Sequence, residues 1–140
     1  MRGSARIAGI LVLALTLAVL GGCTSGAGAS SSTGPVRVDA TADGTTVEMA
    51  PGAELVVALE GNPTTGFDWR VAGSLPAQLS AKSDTLESSA APGVVGAGGT
   101  RVFTYTAAAP GTGVLNMEYL RSWETAVPPE KTFKLMVVVK

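Results

Sequence analysis

Histidine is missing from the 140 residues. With it goes the imidazole base on which Ser-His-Asp and Cys-His nucleophilic centres depend. The same gap removes histidine-rich zinc sites. A single cysteine, Cys23, excludes both an internal disulfide and a Cys-x-x-Cys metal knuckle, so no metal and no other cofactor is expected. Charge is also scarce: 15% of residues carry one, with 10 Lys and Arg against 11 Asp and Glu. The resulting net charge of -1 provides no basic field to hold nucleic acid through counterion release. The acidic residues are scattered over strands and turns, and no pair is assigned the separation that acid/base hydrolysis demands. The chain reads as a non-enzyme of one folded domain, the size expected at this length.

What is present begins with an address. Arg2 and Arg6 precede an almost unbroken apolar run over 7–20, about the length of a signal-peptide core and short of the roughly 20 residues a membrane span needs. The run ends in Leu20-Gly21-Gly22-Cys23, which resembles a bacterial lipobox, and the only cysteine of the chain sits at that spot. Residues 1–22 are therefore expected to be a cleaved lipoprotein signal, and Cys23 the lipidated mature N-terminus. Cleavage removes Arg2 and Arg6 and no acidic residue, leaving a mildly acidic chain. Residues 24–35 (TSGAGASSSTGP) are small, polar and aperiodic. With Cys23 they read as a flexible tether over 23–35, spanning roughly 20 Å as a Gly/Ser-type coil. The expected location is the bacterial cell envelope, outside the cytoplasm, held to a membrane by the lipid.

From Val36 onward the pattern is strand and turn. Segments 36–40, 45–49, 54–60, 67–71, 101–106, 114–120 and 132–139 are short and rich in Val, Thr and aromatics, with Gly, Pro and Asp between them. Apolar and polar residues alternate through Leu55, Val57 and Leu59 and again through Leu115, Met117 and Tyr119. That period of two belongs to half-buried strands. The expectation for 36–140 is an all-β, immunoglobulin-like antiparallel β-sandwich of about seven to eight strands. The stretch 75–87 reads either as a further strand or as a long crossover. Trp69, two residues after Phe67 on the same strand face, is expected to fill the core.

Three turns stand out. In Gly61-Asn62-Pro63-Thr64-Thr65-Gly66-Phe67, Pro63 fixes its own φ and biases Asn62 towards extended backbone, and Gly66 permits a positive φ for re-entry into a strand. The product is a stiff, projecting turn with two small hydroxyls at its tip. Segment 93–100 (GVVGAGGT) carries few bulky side chains, so its backbone can approach another backbone closely. No Lys follows its glycines, which excludes a phosphate loop. In Arg121-Ser122-Trp123-Glu124, an aromatic flanked by charges ends a strand, and Trp and Arg are residue types that dominate binding hot spots.

In combination these turns resemble the chagasin family of cysteine-peptidase inhibitors. The family pattern of Asn-Pro-Thr-Thr-Gly-aromatic, then Gly-x-Gly-Gly, then Arg-Pro-Trp is matched in order by Asn62, Pro63, Thr64, Thr65, Gly66 and Phe67, by Gly96, Gly98 and Gly99, and by Arg121 and Trp123. Ser122 stands where the family usually has Pro, which removes a fixed φ worth about 0.4–1 kcal/mol of loop rigidity. The resemblance implies reversible inhibition of papain-like cysteine peptidases by three loops wedged into the active-site cleft. Thr64 and Thr65 would lie over the catalytic centre, the glycine segment would pair with peptidase backbone, and Trp123 would dock on an apolar patch. A different reading of the same residues is an envelope-anchored β-sandwich that binds carbohydrate or a protein partner, with Trp123 and Tyr119 as an aromatic platform.

Overall fold

The computed structural model describes residues 34–88 and 91–140. The apolar leader, Cys23 and residues 24–33 of the tether lie outside them. Eight strands are seen among the described residues: β1 (Val36–Asp39), β2 (Thr46–Met49), β3 (Glu54–Gly61), β4 (Phe67–Val71), β5 (Leu79–Ser88), β6 (Gly99–Ala107), β7 (Gly111–Arg121) and β8 (Lys131–Val139). They form two four-stranded sheets, ordered β1-β3-β6-β5 and β2-β8-β7-β4. The expected sandwich is present.

Period-two alternation builds the space between the sheets. Leu55, Val57 and Leu59 of β3 face inward with Phe103, Tyr105 and Ala107 of β6. Leu115, Met117 and Tyr119 of β7 meet them together with Phe133, Leu135, Val137 and Val139 of β8. Cross-strand partners such as Leu115 with Leu135 and Met117 with Phe133 set the register, because slipping by one residue would turn these side chains to water. Trp69 of β4 joins this core as expected.

Two features depart from a purely antiparallel sandwich. The outer strands β1 and β2 run parallel to β3 and β8, with Val36 opposite Leu55 and Thr46 opposite Met136. The stretch read as strand or crossover holds all but the last residue of the ten-residue strand β5, which is hydrogen-bonded to β6 along its length. After Leu79 every residue of β5 is exposed, so the strand has no core face and no alternation to advertise it. A bulge between Ala81 and Ser83 leaves Lys82 at this sheet edge, the kind of device that discourages pairing with another chain.

The three unusual turns fall at one pole. They join β3 to β4, β5 to β6, and β7 to β8. The ladders bring Gly61 opposite Gly99, Gly99 opposite Ser88, and Phe67 opposite Arg121.

Candidate functional site

Asn62 is the hub of the first loop. Its backbone is extended (φ -130°, ψ 90°), as the following proline requires, and Pro63–Thr65 forms a single 3-10 turn. The Asn62 side-chain oxygen accepts hydrogen bonds from the Thr64 N–H (3.2 Å) and the Thr64 hydroxyl. The Asn62 carbonyl accepts from the Thr65 N–H at 3.1 Å and the Thr65 hydroxyl at 2.6 Å. Both hydroxyls are thus turned back into the loop, and the exposed tip presents a compact, internally bonded surface. Gly66 closes the turn at φ 84°, in the left-handed region that favours glycine.

The loops are tied to one another as well as to the strands. The Asn62 N–H donates to the Tyr119 hydroxyl at 2.8 Å, and the Asn62 side-chain amide donates to the Gly96 carbonyl at 3.4 Å. The first bond fixes the loop to the opposite sheet and the second to the glycine segment. Arg121 Nε donates to the Thr65 carbonyl at 3.1 Å. The Arg121 guanidinium also lies 4.3 Å from the centre of the Phe67 ring and 3.2 Å from the Glu124 carboxylate. Phe67 in turn stacks on Tyr119 at 5.3 Å, and Trp69 packs on the same ring at 5.2 Å while its indole N–H donates to the Glu60 carbonyl at 3.0 Å.

These contacts sort the residues singled out from the sequence. Thr64, Thr65, Gly96 and Trp123 are exposed or partly so, and Trp123 retains 66% of its surface. Its indole lies against Gly66, where a Cβ added to the glycine would come within 2.2 Å of a ring atom. Phe67 and Arg121 are half-buried and bonded within the molecule, so their part is to hold the first and third loops together. Gly96 has φ 81° and open space around it. Gly99 is different: it is buried, lies between β3 and β5, and a Cβ there would sit 2.8 Å from the Glu87 carbonyl. Its backbone serves its own sheet, so pairing with an outside backbone falls to the segment before it. Gly98 lies at the boundary, with a Cβ position 3.4 Å from the Gly61 carbonyl.

Ser122, in place of the family proline, is exposed in a turn closed by the Glu124 N–H to the Arg121 carbonyl at 3.1 Å. The Arg121 bonds to Glu124 and Thr65 constrain the loop that proline would otherwise stiffen. Tyr119 escapes a motif-based reading as a positioning residue, because its contacts with Asn62, Phe67 and Trp69 arise only in the folded sheets, whereas Glu124 pairs locally with Arg121 three residues before it. Tyr119 is also 6% exposed. It therefore cannot form a surface platform with Trp123, and the carbohydrate-platform arrangement falls for that reason.

The geometry has counterparts. A family model for chagasin family peptidase inhibitors (I42) matches residues 48–137. Chagasin of Trypanosoma cruzi is 34% identical over 90 residues, covering 62% of this chain and 82% of the relative. Amoebiasin-1 of Entamoeba histolytica is 34% identical over 99 residues, covering 69% and 91%. A crystal structure of a cysteine protease inhibitor from Entamoeba histolytica shares the fold with a TM-score of 0.69 at 24% identity, covering 77% of this chain and 97% of that one. The chain belongs to the chagasin family of peptidase inhibitors. It is an inhibitor by class and not an enzyme.

Proposed function

We propose that the protein is a reversible inhibitor of papain-like cysteine peptidases that occludes the active-site cleft with the three loops of one pole. The single observation carrying this reading is the direct linkage of the loops: Asn62 to Gly96, Arg121 to Thr65, and Trp123 against Gly66. A pre-assembled edge loses little conformational entropy on docking and offers a peptidase no flexible peptide to cleave. In this assignment Thr64 and Thr65 face the catalytic centre, the segment around Gly96 and Gly98 runs along the cleft, and Trp123 anchors the opposite side. Asn62, Pro63, Gly66, Phe67, Gly99 and Arg121 keep those groups in place. Interfaces of this kind bury about 1,600 Å² in total, within the reach of three loops at a sandwich pole.

Titration of papain with the protein is expected to give stoichiometric, reversible inhibition, with the inhibitor recovered uncleaved and trypsin unaffected. Steady-state assays with intact-mass analysis check this. Turnover of the inhibitor, or equal inhibition of trypsin, would contradict the cleft-occlusion reading.

The lipoprotein address belongs to the same proposal. Acylation of the Cys23 thiol, followed by cleavage between Gly22 and Cys23, is expected to place the inhibitor in the cell envelope, on the strength of the apolar run and the lipobox-like residues before the sole cysteine. Mass spectrometry of the membrane fraction should find an N-terminal diacylglyceryl cysteine. A mature form with a free thiol would refute it.

A further inference from the structure

The side of the sandwich where β4 faces β5 and β6 is open, from Asp68 and Arg101 near the loop pole to Leu75 and Tyr105 further along the strands. A cleft of about 640 Å³ lies there, lined on its inner surface by Trp69, Val71, Leu75, Ala81, Phe103 and Tyr105. Its size is within the roughly 300–1,000 Å³ typical of small-molecule sites. The β5 wall of the cleft belongs to a strand whose residues 80–88 are all exposed. In ladder terms Tyr105 pairs with Leu55, six residues from Gly61, so its backbone lies roughly 20 Å along the strand from the pole.

Tyr105 supplies the decisive feature. The residue is 3% exposed and its hydroxyl is buried, yet among the described residues that hydroxyl has no hydrogen-bond partner. A buried hydroxyl in a folded protein normally has one. The ring stacks on Phe103 at 6.4 Å, and Tyr105 is one of the residues that line the cleft. Burial, aided by the negative charge of Asp84, pushes the phenol up to about 12. At neutral pH it is therefore a protonated donor.

The mouth of the cleft specifies the ligand's charge. Arg101 pairs with Asp84 at 2.9 Å and with Asp68 at 3.4 Å, bridging β6, β5 and β4. Arg70 pairs with Glu118 at 3.8 Å, and Lys82 with Glu54. All five charged residues lining the cleft thus have opposite charges beside them, and none is left to draw an ion. We propose that this cleft is a second binding site, for a small uncharged apolar molecule that carries one hydrogen-bond acceptor, received by the Tyr105 hydroxyl.

The test uses the full chain and three probes of similar shape: acetophenone, which has a carbonyl acceptor; ethylbenzene, which has none; and benzoate, which adds charge. Ligand-observed NMR titrations should give acetophenone an affinity at least about fivefold above the other two, the advantage of one buried hydrogen bond. Tyr105→Phe should reduce acetophenone to the ethylbenzene level without lowering the melting temperature, since the variant keeps the ring and removes only an unpaired hydroxyl. Leu75→Trp, which fills the cleft from its wall, should weaken acetophenone and ethylbenzene alike. Papain titration of the Tyr105→Phe variant should match that of the wild type, separating this site from the loop pole. Absence of acetophenone binding, equal affinity for acetophenone and ethylbenzene, a preference for benzoate, or undiminished acetophenone binding by Tyr105→Phe would each overturn the proposal.

Discussion

Trp69→Ala is expected to lower the stability of the sandwich by about 3–5 kcal/mol, the range for truncating a large buried aromatic. Trp69 is 6% exposed, packs on Tyr119 at 5.2 Å, and donates its indole N–H to the Glu60 carbonyl at 3.0 Å. Alanine leaves a cavity between the sheets and strips that carbonyl of its side-chain donor. For a domain of this size each kcal/mol is worth about 4–8 °C of melting temperature, so a fall of at least about 12 °C should be seen by circular dichroism. Below its melting temperature the variant should still inhibit papain, because the loop-to-loop bonds do not pass through this side chain. A folded but inactive Trp69→Ala would place the residue in the site instead of the core.

The opposite pattern is expected at Trp123. Its ring is 66% exposed, so alanine removes little burial within the domain and the melting temperature should hardly move. Inhibition should weaken by at least about 2 kcal/mol, roughly thirty-fold, as for an aromatic hot spot. Gly66→Ala offers an independent check. An alanine Cβ there would lie 2.2 Å from a Trp123 ring atom, on a backbone with φ 84°. The substitution must therefore displace the anchor and strain the turn while Trp123 itself remains in the sequence. It should weaken inhibition at least as much as Trp123→Ala. Inhibition constants equal to wild type for both variants would remove Trp123 from the proposed interface.

The contrast between these tryptophans was legible in the sequence, because each sits in a pattern tied to solvent. Trp69 lies in a short strand that repeats with period two, and Trp123 follows a strand end among charged residues. The turn geometry was legible for the same reason: Pro63 and Gly66 restrict φ locally, and the observed backbone at Asn62 and Gly66 agrees. Strand β5 was not, since a strand exposed on both faces buries no alternating side chains. The parallel placement of β1 and β2 was also hidden, because no local turn dictates which edge a terminal strand joins. Arg121 and Phe67 enter the expected binding set as members of the matched motifs. Their mutual stacking required the β4–β7 ladder, a contact between residues 54 positions apart in the chain.

The parallel pairing of β1 with β3 has a mechanical result under the proposed lipid anchor. Because β1 runs in the same direction as β3, Val36 lies level with Leu55, and the loops begin beyond Gly61. The chain thus enters the domain six residues of β3 before that end, roughly 20 Å along the strand. With a lipid on Cys23, pulling on the tether draws on the rear of the sandwich and leaves the wedge pointing outward. A docked peptidase then stands on the far side of the domain from the bilayer, with the sandwich itself as a spacer. Shortening the tether would lower the whole assembly towards the lipid without altering the edge that grips the enzyme.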